Sequence, residues 1–221
     1  MRMPYWLAVV LVLGYGAADL TATELSQSAP FSSSKSQESF NLLFAQFNDQ
    51  GGTLILQEVK LRLELTGQIN LAVENTGENP AEVYACLTGF ARANTGALGL
   101  TAAVSCTTAA CNLAAADGAF GSGTDCYNFG QMCTPTSTVF ALAPELNPFK
   151  GSGTITAELF CARGFALEGL ESYNVAATSG RLFGQATLTY VFVPEPTASA
   201  IFIMGLMIVR RFRVLMQHKP N

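Results

Sequence analysis

The chain has 221 residues, of which 12 are basic and 16 acidic, and 49% are hydrophobic. All 16 acidic residues but only seven basic ones lie between Asp19 and Glu195, a net charge of −9 for that body. A surface this acidic repels nucleic acid and anionic lipid, so nucleic-acid binding is excluded. The body is one ordinary domain's worth of chain and long enough to bury a sizeable core, but short for two domains.

The N-terminus reads as a targeting segment. Arg2 gives a positive n-region, Leu7 to Leu13 an apolar stretch too short to span a bilayer, and Gly16-Ala17-Ala18 a small-residue site for signal peptidase. The expected cut falls between Ala18 and Asp19, which makes residues 1–18 a Sec-type signal peptide passed through the Sec translocon. A cut after Ala22 and a retained N-terminal anchor are the alternatives. In each case the middle of the chain is exported.

Residues 19–39 are polar and serine-rich and are expected as a leader or an edge strand. Phe40, Leu42, Leu43, Phe44 and Phe47 form an apolar cluster that fits a buried strand or a short helix. Asn48-Asp49-Gln50-Gly51-Gly52 then has the composition of a turn. From Val59 to Leu65, apolar Val59, Leu61, Leu63 and Leu65 alternate with Lys60, Arg62 and Glu64, the period of a strand with one wet face. Leu54 and Leu56 fall on the opposite parity, which predicts a β-bulge near Gln57-Glu58. A break is expected at Gly67-Gln68, after which Ile69, Leu71 and Val73 resume the alternation up to a turn at Glu74-Asn75-Thr76-Gly77. Val83 to Leu87 is a further short strand.

From Asn94 to Pro135 the pattern dissolves into alanine, glycine, threonine and four of the six cysteines, and a disulfide-clamped loop is expected. Alternation returns in Thr136 to Leu142. In Gly153 to Cys161, Ile155, Ala157, Leu159 and Cys161 share a face. In Gly180 to Val193, Leu182, Ala186, Leu188, Tyr190 and Phe192 share another. Short alternating strands, glycine-rich turns and no long amphipathic helix predict an all-β fold, an antiparallel β-sandwich over residues 40–193.

Cys86, Cys106, Cys111, Cys126, Cys133 and Cys161 all lie in the exported body. An even number in an oxidising compartment reads as disulfides, with fifteen possible pairings and no spacing that selects one. Cys106 with Cys111, Cys126 with Cys133, and Cys86 with Cys161 are the simplest guesses. No C-x-x-C is present and the one histidine, His218, follows the body, so no metal and no cofactor is expected. The same lack removes Ser-His-Asp and Cys-His nucleophiles. A paired-carboxylate site would need two buried acids, and most acids fall on predicted wet faces. Asp117 to Asp125 places oxygen donors on a glycine-rich loop suited to Ca²⁺, but without the D-x-D-x-D-G spacing a plain turn is the favoured reading.

The C-terminus has three parts in order. Val193-Pro194-Glu195-Pro196 is extended, because each proline fixes φ and lacks an N–H. Ala198 to Val209 is uncharged and apolar, and Arg210, Arg211 and Arg213 stop it on the cytoplasmic side. The apolar run alone rises ~18 Å as a helix against a ~30 Å hydrocarbon core, and continuing to Met216 with the arginines snorkelling makes up the difference. This order of PEP motif, short span with internal Gly205-Leu206, and arginine cluster resembles the PEP-CTERM sorting signal of Gram-negative bacteria.

That resemblance implies a single transmembrane sorting helix over residues 194–216 with a cytoplasmic tail, 217–221. It also implies recognition of Val193, Pro194, Glu195 and Pro196 by the membrane protease exosortase, transient inner-membrane anchoring, and passage to the cell surface or extracellular matrix. The body resembles the choice-of-anchor E domain in FNDQGGTLILQEVKLRLELTGQINLAVENTG, FKGSGTITAEL and LTYVFVPEP. No catalytic residues are attributed to that domain. The resemblance thus implies a non-enzymatic surface protein, associated with exopolysaccharide or biofilm in one version. A carbohydrate- or Ca²⁺-binding surface module using the 117–125 loop, Tyr127 or Phe129 is the alternative.

Overall fold

A computed structural model describes residues 22–195 of the chain, with the backbone alone for 176–178. The expected signal peptide with its cut at Ala18 and Asp19, and the expected sorting segment with Pro196, Arg210, Arg211 and Arg213, lie outside the described residues. Among the described residues no helix is long and apolar enough to cross a membrane.

Ten strands carry the fold: β1 (Thr23–Ser33), β2 (Gln37–Ala45), β3 (Leu54–Asn75), β4 (Ala81–Asn94), β5 (Gly99–Thr107), β6 (Cys111–Leu113), β7 (Cys126–Cys133), β8 (Ser137–Leu142), β9 (Thr154–Glu168) and β10 (Tyr173–Pro194). They pair antiparallel in two sheets. In the first, β1 lies on β10, β10 on β3, and β7 and β8 share the other edge of β3. In the second, β2 lies on β9, β9 on β4, and β5 and β6 follow one another along the other edge of β4. The result is a β-sandwich, as alternation without amphipathic helices requires.

The side-chain period of two decides what the sandwich encloses. Val59, Leu61, Leu63 and Leu65 of β3 are fully buried, as are Leu182, Ala186, Leu188 and Tyr190 of β10 and Ala157 of β9, with Leu159 and Cys161 nearly so. These are the faces the alternation predicts. Each buried leucine contributes ~1.5–3 kcal/mol relative to exposure, so the inner face of β3 alone is a substantial share of the driving force. The bulge is where parity demands it. Val191 pairs with Glu58 and Phe192 with Leu56, leaving Gln57 without a partner and returning Leu56 to the inner face. The turn at Asn48 to Gly52 also forms, with Gln50, Gly51 and Gly52 all at positive φ and Asn48 Oδ1 accepting the Gln50 N–H at 2.9 Å.

Three expectations are corrected. The 19–39 segment is no leader from Thr23 onward. It supplies β1 and the start of β2, so the sandwich starts before residue 40. Its polarity is that of an edge strand: Ser26 and Ser28 meet Thr189 and Thr187 through 2.8 Å hydroxyl hydrogen bonds on the wet face, while Phe31 and Ser33 turn inward.

Gly67 does not break β3, which runs unbroken for 22 residues. It faces inward and leaves room for Leu182 and Thr134, whose atoms would each lie 3.3 Å from a Cβ there. The glycine serves a close approach and makes no turn.

The stretch from Asn94 to Pro135 contains β5, β6 and β7 as well as loop. Ala102 and Val104 are the buried residues of β5 and oppose Ala91 and Gly89 of β4, so small residues fill both sides and little bulky apolar signal remains.

Candidate functional site

The described part of the sorting motif is the end of a strand. Val193 pairs with Ile55, Pro194 with Leu54, and the Glu195 N–H donates to the Thr53 carbonyl at 2.8 Å. Pro194 has no N–H to give, and the next donor, Glu195, makes the last rung. Below this rim Phe192 packs against Phe47 at a tilt, with ring centroids 5.2 Å apart. Phe47 in turn meets Tyr190, whose hydroxyl donates to the Ala45 carbonyl at 2.7 Å. Burial pushes the Tyr190 hydroxyl up to about 12.

All six cysteines are free thiols in this structure, and strand register removes the three simplest pairings. Cys126 and Cys133 lie at opposite ends of β7, opposite Glu74 and Gln68, which places them ~20 Å apart at strand rise. Cys106 opposes Leu87 and Cys111 opposes Val83, ~13 Å apart along β4. Cys161 opposes inward-facing Ala91, while Cys86 stands five residues away on the outward face. A disulfide needs Cα atoms within about 7 Å, which none of the three pairs meets. Cys161 is buried, and burial followed by the Glu38 charge raises its thiol to about 11.

The most organised polar feature is the loop of residues 114–125 between β6 and β7. Asn75, buried at the end of β3, anchors it: its side-chain amide donates to the carbonyls of Asn79 (2.8 Å) and Ala114 (2.7 Å), and its Oδ1 accepts the Gly77 N–H at 2.9 Å. The Asn75 N–H donates to the Asp125 carbonyl at 2.8 Å, and the Ala114 N–H to that of Thr124 at 3.0 Å. Both ends of the loop are therefore fixed. Asp125 is 1% exposed and its Oδ2 accepts the Asp117 N–H at 3.0 Å, but its Oδ1 finds no donor among the described residues.

Gly121 donates weakly to Glu74 Oε1 at 3.4 Å, and Asn174 to Glu74 Oε2 at the same distance. Burial, then the charges of Asp125 and Glu74, a side-chain hydrogen bond with Asp125 and the charge of Asp117 raise the Cys126 thiol above its ordinary range. Beside the loop is an open cleft of ≈ 490 Å³ whose wall includes Glu74, Phe120, Gly123, Tyr127 and Asn174. Tyr127 is half exposed and meets Phe129 edge to face, with centroids 4.9 Å apart.

The sequence had marked Asp117, Asp125, Tyr127 and Phe129. The structure brings Asp117 and Asp125 together and adds Asn75 and Glu74, which the sequence marks as turn residues and as part of the choice-of-anchor E resemblance but not as part of a site. The signal that could have pointed to Asn75 is the pairing of an Asx residue with glycine two positions on. Among the described residues no group of three or more His, Cys, Asp or Glu side chains is arranged as a metal site.

No protein-family model and no curated protein matches the chain. Among solved structures, that of the infectious bursal disease virus Gx strain aligns over 86% of this chain and 49% of its own at 11% identity and a TM-score of 0.20. The infectious bursal disease virus VP2 subviral particle aligns over 85% and 49% at 12% identity and a TM-score of 0.22. The chain spans about half the length of either, and likeness at this level carries no argument about fold or function.

Proposed function

We propose that the protein is an exported, non-enzymatic cell-surface or matrix protein, sorted and cleaved by exosortase at its C-terminal motif. The observation that carries the reading is the junction at the end of β10. The last strand of the sandwich runs through Val193 and ends at Pro194, so the first residues of the motif V-P-E-P are the rim of the body. A body whose last described strand reaches the motif is a folded passenger carried directly in front of that signal. The absence of histidine from the exported body supports a role without nucleophilic or imidazole chemistry. The acidic net charge of that body suits a solvated surface, and an association with exopolysaccharide belongs to this reading.

The test is the mature C-terminus in cells that contain exosortase. Mass spectrometry is expected to find the protein ending near Pro194-Glu195-Pro196. Replacing Pro194 and Pro196 by alanine is expected to leave full-length protein in the inner membrane. An intact C-terminus on the wild-type protein in such cells overturns the proposal.

A further inference from the structure

We propose that the 114–125 loop binds a divalent cation, Ca²⁺ by its chemistry, between Asp125 and Asp117. This stands apart from the sorting reading and rests on the loop alone. A buried carboxylate oxygen without a donor is costly, since it loses water and gains nothing. Asp125 Oδ1 is such an atom, on a side chain 1% exposed.

It does not face an apolar wall. A Cβ on Gly123 would overlap Asp117 Oδ2 and lie 2.8 Å from Asp125 Oδ1, so the two oxygens converge on the same side of Gly123 and are at most about 5 Å apart, the reach of two ligands on one Ca²⁺ ion. Gly123, at φ 106°, is the residue that leaves that space open. Two ionised carboxylates aimed at one point repel each other, and a cation between them relieves that repulsion.

The kind of cation follows from the donors. The available ligands are the carboxylate oxygens of Asp117 and Asp125, with water to complete the shell. Cys126 Sγ lies beside Asp125 but donates to the Ser122 carbonyl at 3.5 Å, and its thiol, held above its ordinary range, stays protonated and is a poor cation ligand. An all-oxygen set on an irregular, glycine-rich loop open to water suits Ca²⁺, which takes six to eight ligands in flexible geometry, over Mg²⁺, which demands a near-ideal octahedron. Two carboxylates completed by water correspond to the weak range of extracellular Ca²⁺ modules, ~0.1–1 mM.

The experiment uses the full chain in mild detergent, with thermal unfolding and calorimetric titration in EDTA and in CaCl₂ up to 10 mM at constant ionic strength. Wild type is expected to gain about 3–10 °C in Tm at 10 mM Ca²⁺, with a much smaller gain in Mg²⁺. Asp125→Asn should lose the shift. Asp117→Asn, at an exposed position where the amide oxygen can still cap Ala119, should weaken affinity tenfold or more. In EDTA this variant should be at least as stable as wild type, because the like-charge repulsion is gone. That reversal of sign between EDTA and Ca²⁺ distinguishes a cation site from a structural turn. If Asp125→Asn does not fold, Asp117→Asn decides alone. No wild-type shift at 10 mM, an equal response to Mg²⁺, or a full response in Asp117→Asn overturns the proposal.

Discussion

Leu182 of β10 reaches across the sandwich to Gly89 of β4 so closely that a Cβ on Gly89 would lie 2.7 Å from Leu182 Cδ2. The same side chain covers Gly67, its register partner in β3, where a Cβ would lie 3.3 Å away. One fully buried leucine thus fills the space left by two glycines, one in each sheet. Gly89→Ala should therefore overpack the core and cost about 1–3 kcal/mol, while Leu182→Ala should leave a cavity and cost about 2–5 kcal/mol. The two changes compensate in volume, so the double variant should be more stable than the sum of the single losses predicts. Urea unfolding of the four proteins measures the coupling, and strict additivity would show that the contact is not tight.

The same contact shows what the sequence could disclose. The inner face of β3 and the bulge at Gln57 are local facts, written in the parity of Leu54, Leu56 and Val59 to Leu65, and both were legible. Whether Gly67 turns the chain or admits a neighbour is a non-local fact, because the neighbours, Leu182 and Thr134, are far along the sequence. β5 was hidden for a related reason: with Ala102 and Val104 set against Ala91 and Gly89, small residues replace the bulky alternation that marks a strand. At the 114–125 loop the oxygen donors were visible, but a carboxylate in a glycine-rich stretch reads as solvated. The burial of Asp125 comes from Asn75 and the strands around it, which no local pattern encodes.

Stability should fall in alkali through two buried groups. Burial raises Cys161 to about 11 and Tyr190 to about 12, from ordinary values of 9.0 and 10.0. Between the ordinary and the folded value the unfolded chain has released the proton and the folded chain has kept it. The unfolded state then binds fewer protons, so stability declines as pH rises through that window and levels off above it. The window runs from about pH 9 to 11 for Cys161, with a loss on the order of 2 kcal/mol, and from about 10 to 12 for Tyr190. Cys161→Ala should flatten the first part of the curve. Urea midpoints at pH 8, 9.5 and 10.5 measure it, and identical pH slopes in the two proteins would exclude Cys161 as the cause.

Asn75 should matter for the loop out of proportion to its size. Its amide satisfies two carbonyls, and a carboxylate cannot donate to either, so Asn75→Asp would place a buried charge against the Asn79 and Ala114 oxygens. A cost of about 2–4 kcal/mol is expected. Hydrogen exchange should show faster opening of the amides of Ala114 and Ala116, whose acceptors are Thr124 and Gly77, than of the β3 amides between Val59 and Leu65. Uniform loss of protection over both regions would show that Asn75 supports the whole sandwich and not the loop in particular.

Under the proposed processing by exosortase, the rim of β10 should set where the mature chain ends. Val193 and Pro194 are register partners of Ile55 and Leu54, and Glu195 makes the final hydrogen bond to Thr53. A protease needs several residues of extended chain free of other pairing, and those before Glu195 are held in the sheet. Cleavage is therefore expected at or after Glu195, with β10 left whole. Replacing Thr53 by proline keeps its carbonyl but stiffens the turn after Gly52. Replacing Ile55 by proline instead should disturb the rung opposite Val193 and fray the rim. In the Ile55→Pro variant the cut should spread toward the body and give a ragged C-terminus in intact-mass spectra, where wild type gives one species. A single wild-type end at or before Val193 would mean that β10 is unzipped during processing, and the rim would then not protect the body.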